Sequence, residues 1–121
     1  MPPSTKVTIW HNPRCSKSRE ALALLESRGV ELQIVRYLDD PPDAAALGAL
    51  LSALGLGPRE LARTREALYG ELGLADDALS DEAVIAAMVA HPRLIERPIV
   101  IVGDRAVIGR PLANVEALLE G

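Results

Sequence analysis

The sequence predicts an α/β fold: a mixed four-stranded sheet with flanking helices and a helical insertion. Three observations carry that expectation. A strand–helix–strand pattern opens the chain, a glycine-led hairpin lies near its end, and a long helical pattern separates the two. At 121 residues the chain suits a single core, and no repeat, low-complexity stretch or linker divides it. Residues 1–121 are therefore read as one domain.

Val7-Thr8-Ile9-Trp10 is a β-branched and aromatic run that predicts a first strand. Ala21, Leu22 and Leu25 give an apolar face that Gly29 stops, so a helix is expected near 16–28. Leu32-Gln33-Ile34-Val35-Arg36-Tyr37 completes a βαβ unit, whose right-handed crossover makes its strands parallel. Asp40-Pro41-Pro42-Asp43 opens a second helix with Leu47, Leu50, Leu51 and Leu54 on one face, closed by Gly55. From Pro58 to Pro92 the pattern is helical, with breaks at Gly70, Gly73 and Asp76-Asp77. Ser80 caps its last segment, and Asp81 and Glu82 favour that N-terminus. Ile99-Val100-Ile101-Val102 and Arg105-Ala106-Val107-Ile108 flank the two-residue turn Gly103-Asp104 and predict a hairpin. Pro111 begins a closing helix that carries Leu112, Val115, Leu118 and Leu119. The order βαβ, helices, ββα matches the thioredoxin-like fold with an enlarged helical segment before the hairpin.

Composition excludes several classes. The chain is 49% hydrophobic but has no Phe, one Trp and two Tyr, so its core is aliphatic. Scarce aromatics remove the stacking platforms of single-strand binders, and a net charge of −4 offers no basic footprint for nucleic acid. No apolar run approaches bilayer length, and Met1-Pro2-Pro3-Ser4-Thr5-Lys6 is too short and polar for a signal peptide. A lone cysteine fits a reducing compartment, and the expected location is cytoplasmic.

That cysteine, Cys15, lies in His11-Asn12-Pro13-Arg14-Cys15-Ser16-Lys17-Ser18-Arg19, between the first strand and the first helix. A strand-to-helix junction offers free N–H groups and the positive end of a helix dipole, which stabilise a thiolate and cradle an oxyanion. Arg14, Lys17 and Arg19 add positive charge. A small buried hydrophobe is the alternative for a free cysteine, but the polar and charged neighbours oppose it. Ser18 stands where a redox dithiol carries its second cysteine, so the chain closes no intramolecular disulfide. Another molecule must supply the second thiol.

Counting outward from Gly103-Asp104 pairs Val102 with Arg105, Ile99 with Ile108 and, if the register persists, Arg97 with Arg110. Each of these two arginines precedes a proline, in Arg97-Pro98 and Gly109-Arg110-Pro111. Like charges placed opposite one another repel, and an anion between paired guanidiniums relieves the repulsion. If the first hairpin strand lies antiparallel beside strand 7–10, Arg97 falls beside the Cys15 loop. With eleven arginines in the chain, solvated surface is the competing explanation for any one of them.

The His11–Cys15 loop, Arg63 within Glu60-Leu61-Ala62-Arg63, Tyr69-Gly70-Glu71-Leu72-Gly73-Leu74-Ala75, His91-Pro92, Glu96-Arg97-Pro98-Ile99-Val100 and Gly109-Arg110-Pro111 resemble the glutaredoxin-coupled arsenate reductases. The resemblance runs from about Lys6 to Leu119. It implies that Cys15 is the nucleophile and that Arg63, Arg97 and Arg110 bind the anion. It also implies that His11 helps to ionise the cysteine, Ser18 contributes to the substrate loop, and Arg97-Pro98 corresponds to the cis-proline of the fold. The implied reaction reduces arsenate to arsenite through a Cys15–arsenate adduct, with glutathione as co-substrate and glutaredoxin as the partner that resolves the mixed disulfide. No tightly bound cofactor is implied, and one cysteine with His11 and His91 makes no metal-ligand cluster.

Other classes fare less well. A phosphatase-type site needs Cys-x5-Arg, but the sixth residue after Cys15 is Ala21. A related redox protein acting on another oxyanion or on glutathione mixed disulfides, and a non-catalytic regulator that binds a protein partner, remain as alternatives.

Overall fold

Successive residues of a strand face opposite sides, so Val7 and Ile9 of β1 (Lys6–Trp10) enter one buried layer together. The computed structural model describes residues 6–120; the segment read above for a signal peptide lies, up to Thr5, outside them. β2 (Glu31–Val35) runs parallel to β1, with Val7 opposite Leu32 and Trp10 opposite Val35. Parallel pairing needs a crossover, which α1 (Ser16–Ser27) supplies. β3 (Ile99–Val102) is antiparallel to β1, and β4 (Arg105–Ile108) is antiparallel to β3. The sheet order is β2-β1-β3-β4. This is the mixed four-stranded sheet that the sequence predicts.

The hairpin register agrees with the count from its turn: Val102 pairs with Arg105 and Ile99 with Ile108. Gly103 holds the φ of +60° that a glycine-led two-residue turn requires. Ala21 and Leu25 of α1 join Val115, Leu118 and Leu119 of α6 (Ala113–Glu120) on the face that carries Val7, Ile9 and Val100. That aliphatic layer is the core of the sheet unit. Two boundaries differ from the sequence reading. β2 stops at Val35 because the Arg36 carbonyl accepts the N–H groups of Asp39 and Asp40 in a turn. Tyr37 is buried there, its ring 6.4 Å from that of Trp10. The final helix starts at Ala113, after a turn in which Asn114 N–H donates to the Pro111 carbonyl.

The described chain forms two compact units. One holds the sheet, running to Asp40 and resuming at Arg97; the other is Pro41–Glu96. In the second, α2 (Ala44–Leu54) is capped by Asp43, whose Oδ1 accepts Ala46 N–H, and ends at Gly55 with φ +69°. The helical pattern of 58–92 resolves into α3 (Pro58–Leu61), α4 (Ala67–Glu71) and α5 (Asp81–Ala90), followed by a 3-10 turn, Pro92–Leu94. Ser80 caps α5 by accepting Ala83 N–H. Gly73, at φ +70°, and Asp76, whose Oδ1 accepts Ala78 N–H, break the helices where the sequence places breaks, but Gly70 lies inside α4 and makes no break, contrary to the sequence reading.

Candidate active site

The loop after β1 is built by its own polar groups. His11 N–H donates to the Val35 carbonyl at 2.8 Å, carrying the sheet one residue past β1. Asn12 then folds the chain back: its carbonyl accepts Cys15 N–H and its Oδ1 accepts Arg14 N–H, both at 3.0 Å. Arg19 Nη1 donates to the Pro13 carbonyl at 2.9 Å, tying the first turn of α1 to the loop. These bonds leave Cys15 at the N-cap position of α1, with φ −97° and ψ 122°.

Cys15 is only 7% exposed. Burial pushes its thiol up, but the Ser18 N–H, the Arg97 guanidinium, the Lys17 N–H and the Arg110 guanidinium outweigh it, in that order. The thiol falls from 9.0 to about 7. Arg110 Nη2 lies 3.7 Å from Sγ. Gly109 N–H donates to the Pro98 carbonyl at 2.8 Å, so the hairpin's pairing extends past Ile99 and Ile108 and sets both arginines beside the sulfur. Arg97 Nε is buried and has no protein partner among the described residues. An N–H in that state costs about 1–3 kcal/mol, and an anion seated next to the sulfur would satisfy it. Arg97-Pro98 and Arg110-Pro111 are both cis; the second has no signal in the sequence.

His11 and Ser18 stand in the same loop as Cys15. His11 is buried, and desolvation, then the charges of Arg36 and Arg19, hold its imidazole below the ordinary histidine range despite an opposing pull from Glu26. That shift favours the uncharged ring. Its Nδ1 lies 2.7 Å from Ser18 Oγ, which also accepts Asn12 N–H at 3.0 Å. The Ser18 hydroxyl is fully buried and committed to the loop. What Ser18 offers Cys15 is its backbone N–H.

Arg63 belongs to the second compact unit. Its N–H donates to the Leu94 carbonyl at 2.6 Å, beside an antiparallel bridge between Ala62 and Ile95. Its Nη1 pairs with Glu66 Oε2 at 2.9 Å and its Nε with Glu96 Oε1 at 3.4 Å. Sequence reasoning missed both carboxylates. Glu66, three residues after Arg63 and able to reach back to it, was the available signal; Glu96 is distant in the chain and had none. The structure thus brings Cys15, Arg97, Arg110, His11 and Ser18 together, and holds Arg63 within its own unit. Among the described residues, no group of three His, Cys, Asp or Glu side chains is arranged to hold a metal ion, and no helix is long and apolar enough to cross a membrane.

Known proteins match this architecture along nearly its whole length. Residues 10–118 match the ArsC family. A protein of Neisseria meningitidis serogroup A named arsenate reductase is 49% identical over 94% of this chain and 98% of its own. The Escherichia coli K12 protein YfgD, whose name assigns it no activity, is 58% identical over 91% of this chain and 93% of its own. The solved structure of an arsenate reductase from Vibrio cholerae superposes with a TM-score of 0.90 at 49% identity, covering 97% of this chain and 98% of that one.

Proposed function

The chain belongs to the ArsC family, and from that premise we propose that it is an arsenate reductase of the glutathione- and glutaredoxin-dependent kind, working as one domain in the cytoplasm. The observation that supports this most is a thiol brought to about 7 beside two guanidiniums, one of them with a buried and unanswered N–H. Such a site has a nucleophile and an oxyanion seat in contact.

In the proposed reaction the Cys15 thiolate attacks arsenic(V), an As–S bond forms, and an arsenate oxygen leaves as water after protonation. Arg97 and Arg110 hold the remaining oxygens, with Arg63 assigned as a third binding group by the resemblance alone. A glutathione thiol then supplies the second sulfur. Arsenic takes two electrons and leaves as arsenite, while the two sulfurs are oxidised to a Cys15–glutathione disulfide. Glutaredoxin removes the glutathionyl group by thiol–disulfide exchange. His11 acts here by bonding Ser18, which keeps the Ser18 N–H directed at the sulfur. The assay is arsenate-dependent NADPH oxidation coupled through glutathione, glutaredoxin and glutathione reductase. Turnover that needs both arsenate and Cys15 is expected, and its absence would reject the reading.

A second reading, reduction of glutathione mixed disulfides or of another oxyanion, draws on the same lowered thiol and the guanidiniums of Arg97 and Arg110 beside it. Turnover of a glutathionylated peptide in the same coupled assay without arsenate distinguishes it.

A further inference from the structure

Five cations lie close to the thiol in the chain or through the hairpin, and four of them are already engaged. Arg97 and Arg110 act on Cys15. Arg19 is bonded to the Pro13 carbonyl. Lys17 pairs with Glu20 at 3.7 Å, and Glu20 is the first acidic residue after His11. The fifth is Arg14. It immediately precedes Cys15, its side chain is exposed, and its guanidinium has no partner among the described residues. Its backbone is nonetheless fixed, because its N–H donates to Asn12 Oδ1. An unengaged guanidinium on an ordered loop next to a nucleophile is a recognition element for an anionic group on whatever approaches that nucleophile.

We propose that Arg14 selects the thiol co-substrate by pairing with a carboxylate on it, so that small thiols and disulfides bearing carboxylates react with Cys15 faster than neutral or cationic ones. This rests on the reading above for the need of an external thiol, and it adds the residue that recognises that thiol and the group on it that is recognised. The rest of the surroundings favours the same sign. Arg36, after β2, is another exposed cation, and no acidic residue lies between His11 and Arg19. A negatively charged thiol is drawn to this loop in a chain whose net charge of −4 would otherwise repel it.

The test needs no arsenate. The Cys15 thiolate attacks one sulfur of an aromatic disulfide, the S–S bond breaks, a mixed disulfide forms and the other half departs as a coloured thiolate. Two probes of similar size are compared: 5,5′-dithiobis(2-nitrobenzoate), which carries two carboxylates, and the neutral 2,2′-dithiodipyridine. The same comparison is then made with glutathione disulfide and the cationic cystamine. For the wild-type protein at low salt, the carboxylate-bearing probes should lose rate as salt is added, and the neutral one should not. Arg14→Glu should slow the carboxylate-bearing probes by roughly 3–10-fold more than the neutral probe, whose rate reads any change in the thiol itself, while Arg14→Lys keeps most of the preference. Lys6→Glu makes the same charge change at the start of β1, about 13 Å along the strand from Trp10, and should alter neither rate. Equal slowing of both probes by Arg14→Glu would overturn the proposal, since the effect would then lie in the thiol or the loop. No slowing, or equal slowing by Lys6→Glu, would overturn it as well. A protein that fails to reduce arsenate yet shows the Arg14 preference would reject the proposed reaction and leave this inference standing.

Discussion

A thiol as enclosed as Cys15 should resist ionisation, and it ionises near neutral pH because two backbone N–H groups and two guanidiniums converge on it. The sign of the resulting pH dependence is fixed. Below pH 7 the sulfur carries a proton and reacts slowly; the iodoacetamide labelling rate should rise through a midpoint of about 7 and level off above it. Arg97→Ala removes a cation that favours the thiolate, so its midpoint should move up by roughly 1 pH unit. An unchanged midpoint would remove Arg97 from the electrostatics of the site. Ser18→Ala provides the complementary test. It deletes the hydroxyl that accepts Asn12 N–H and bonds His11, but keeps the N–H that faces the sulfur. We expect a loss of about 1–3 kcal/mol in stability by denaturant unfolding with the labelling midpoint held. A raised midpoint at unchanged stability would instead show the hydroxyl acting on the thiol.

At the scale of elements, α1 begins with a residue poorly suited to begin a helix. The Cys15 side chain makes no cap hydrogen bond of ordinary length, and the Lys17 and Ser18 N–H groups favour its thiolate, whereas a Ser hydroxyl there would accept from them at any pH. Cys15→Ser should therefore abolish arsenate turnover while stabilising α1 by about 0.5–2 kcal/mol at pH 6. The advantage should shrink by pH 9. The folded thiol, at about 7, lies below its ordinary 9.0, so its stabilising contribution is complete only above 9.0 and is lost as pH falls through 7. Melting temperatures of both proteins at the two pH values measure this directly. Gly109 is a second element-level constraint, because a Cβ there would meet Pro98 Cγ at 2.8 Å and Val115 Cγ2 at 3.2 Å. Gly109→Ala should cost about 1–3 kcal/mol and weaken arsenate binding, since Pro98 follows Arg97 and Arg110 follows Gly109. Binding and stability at wild-type levels would show that the hairpin end yields freely. What the sequence made legible here was what local chemistry determines. The hairpin register followed from Gly103-Asp104, and α2 and α5 from Asp43 and Ser80 at their caps. The short helices α3 and α4 were not separable, because their ends depend on bonds to distant segments, such as Arg63 N–H to the Leu94 carbonyl. The lowering of the His11 pKa was not legible for the same reason, since burial and Arg36, distant in the chain, are its largest causes.

For the molecule as a whole, one cysteine in 121 residues decides how electrons enter. Many thiol oxidoreductases carry a resolving thiol a few residues from the nucleophile, so their oxidised state is an internal disulfide. Here that position holds Ser18, fully buried and bonded to His11 and Asn12. No internal disulfide can form, and any oxidised state of Cys15 reached by thiol exchange must join it to another molecule. Arsenate with glutathione should therefore yield a species heavier by one glutathionyl group at Cys15, visible by intact mass after an acid quench. Glutaredoxin should return the free protein. Thioredoxin with its reductase, in the absence of glutathione, should support little turnover, because the mechanism needs a small thiol to reach the buried sulfur before any protein can accept the disulfide. The proposed order of events is consistent with the 7% exposure of Cys15, which favours a small thiol over a protein thiol as the first to reach the sulfur. Efficient turnover with thioredoxin alone would contradict the mechanism even with arsenate established as substrate.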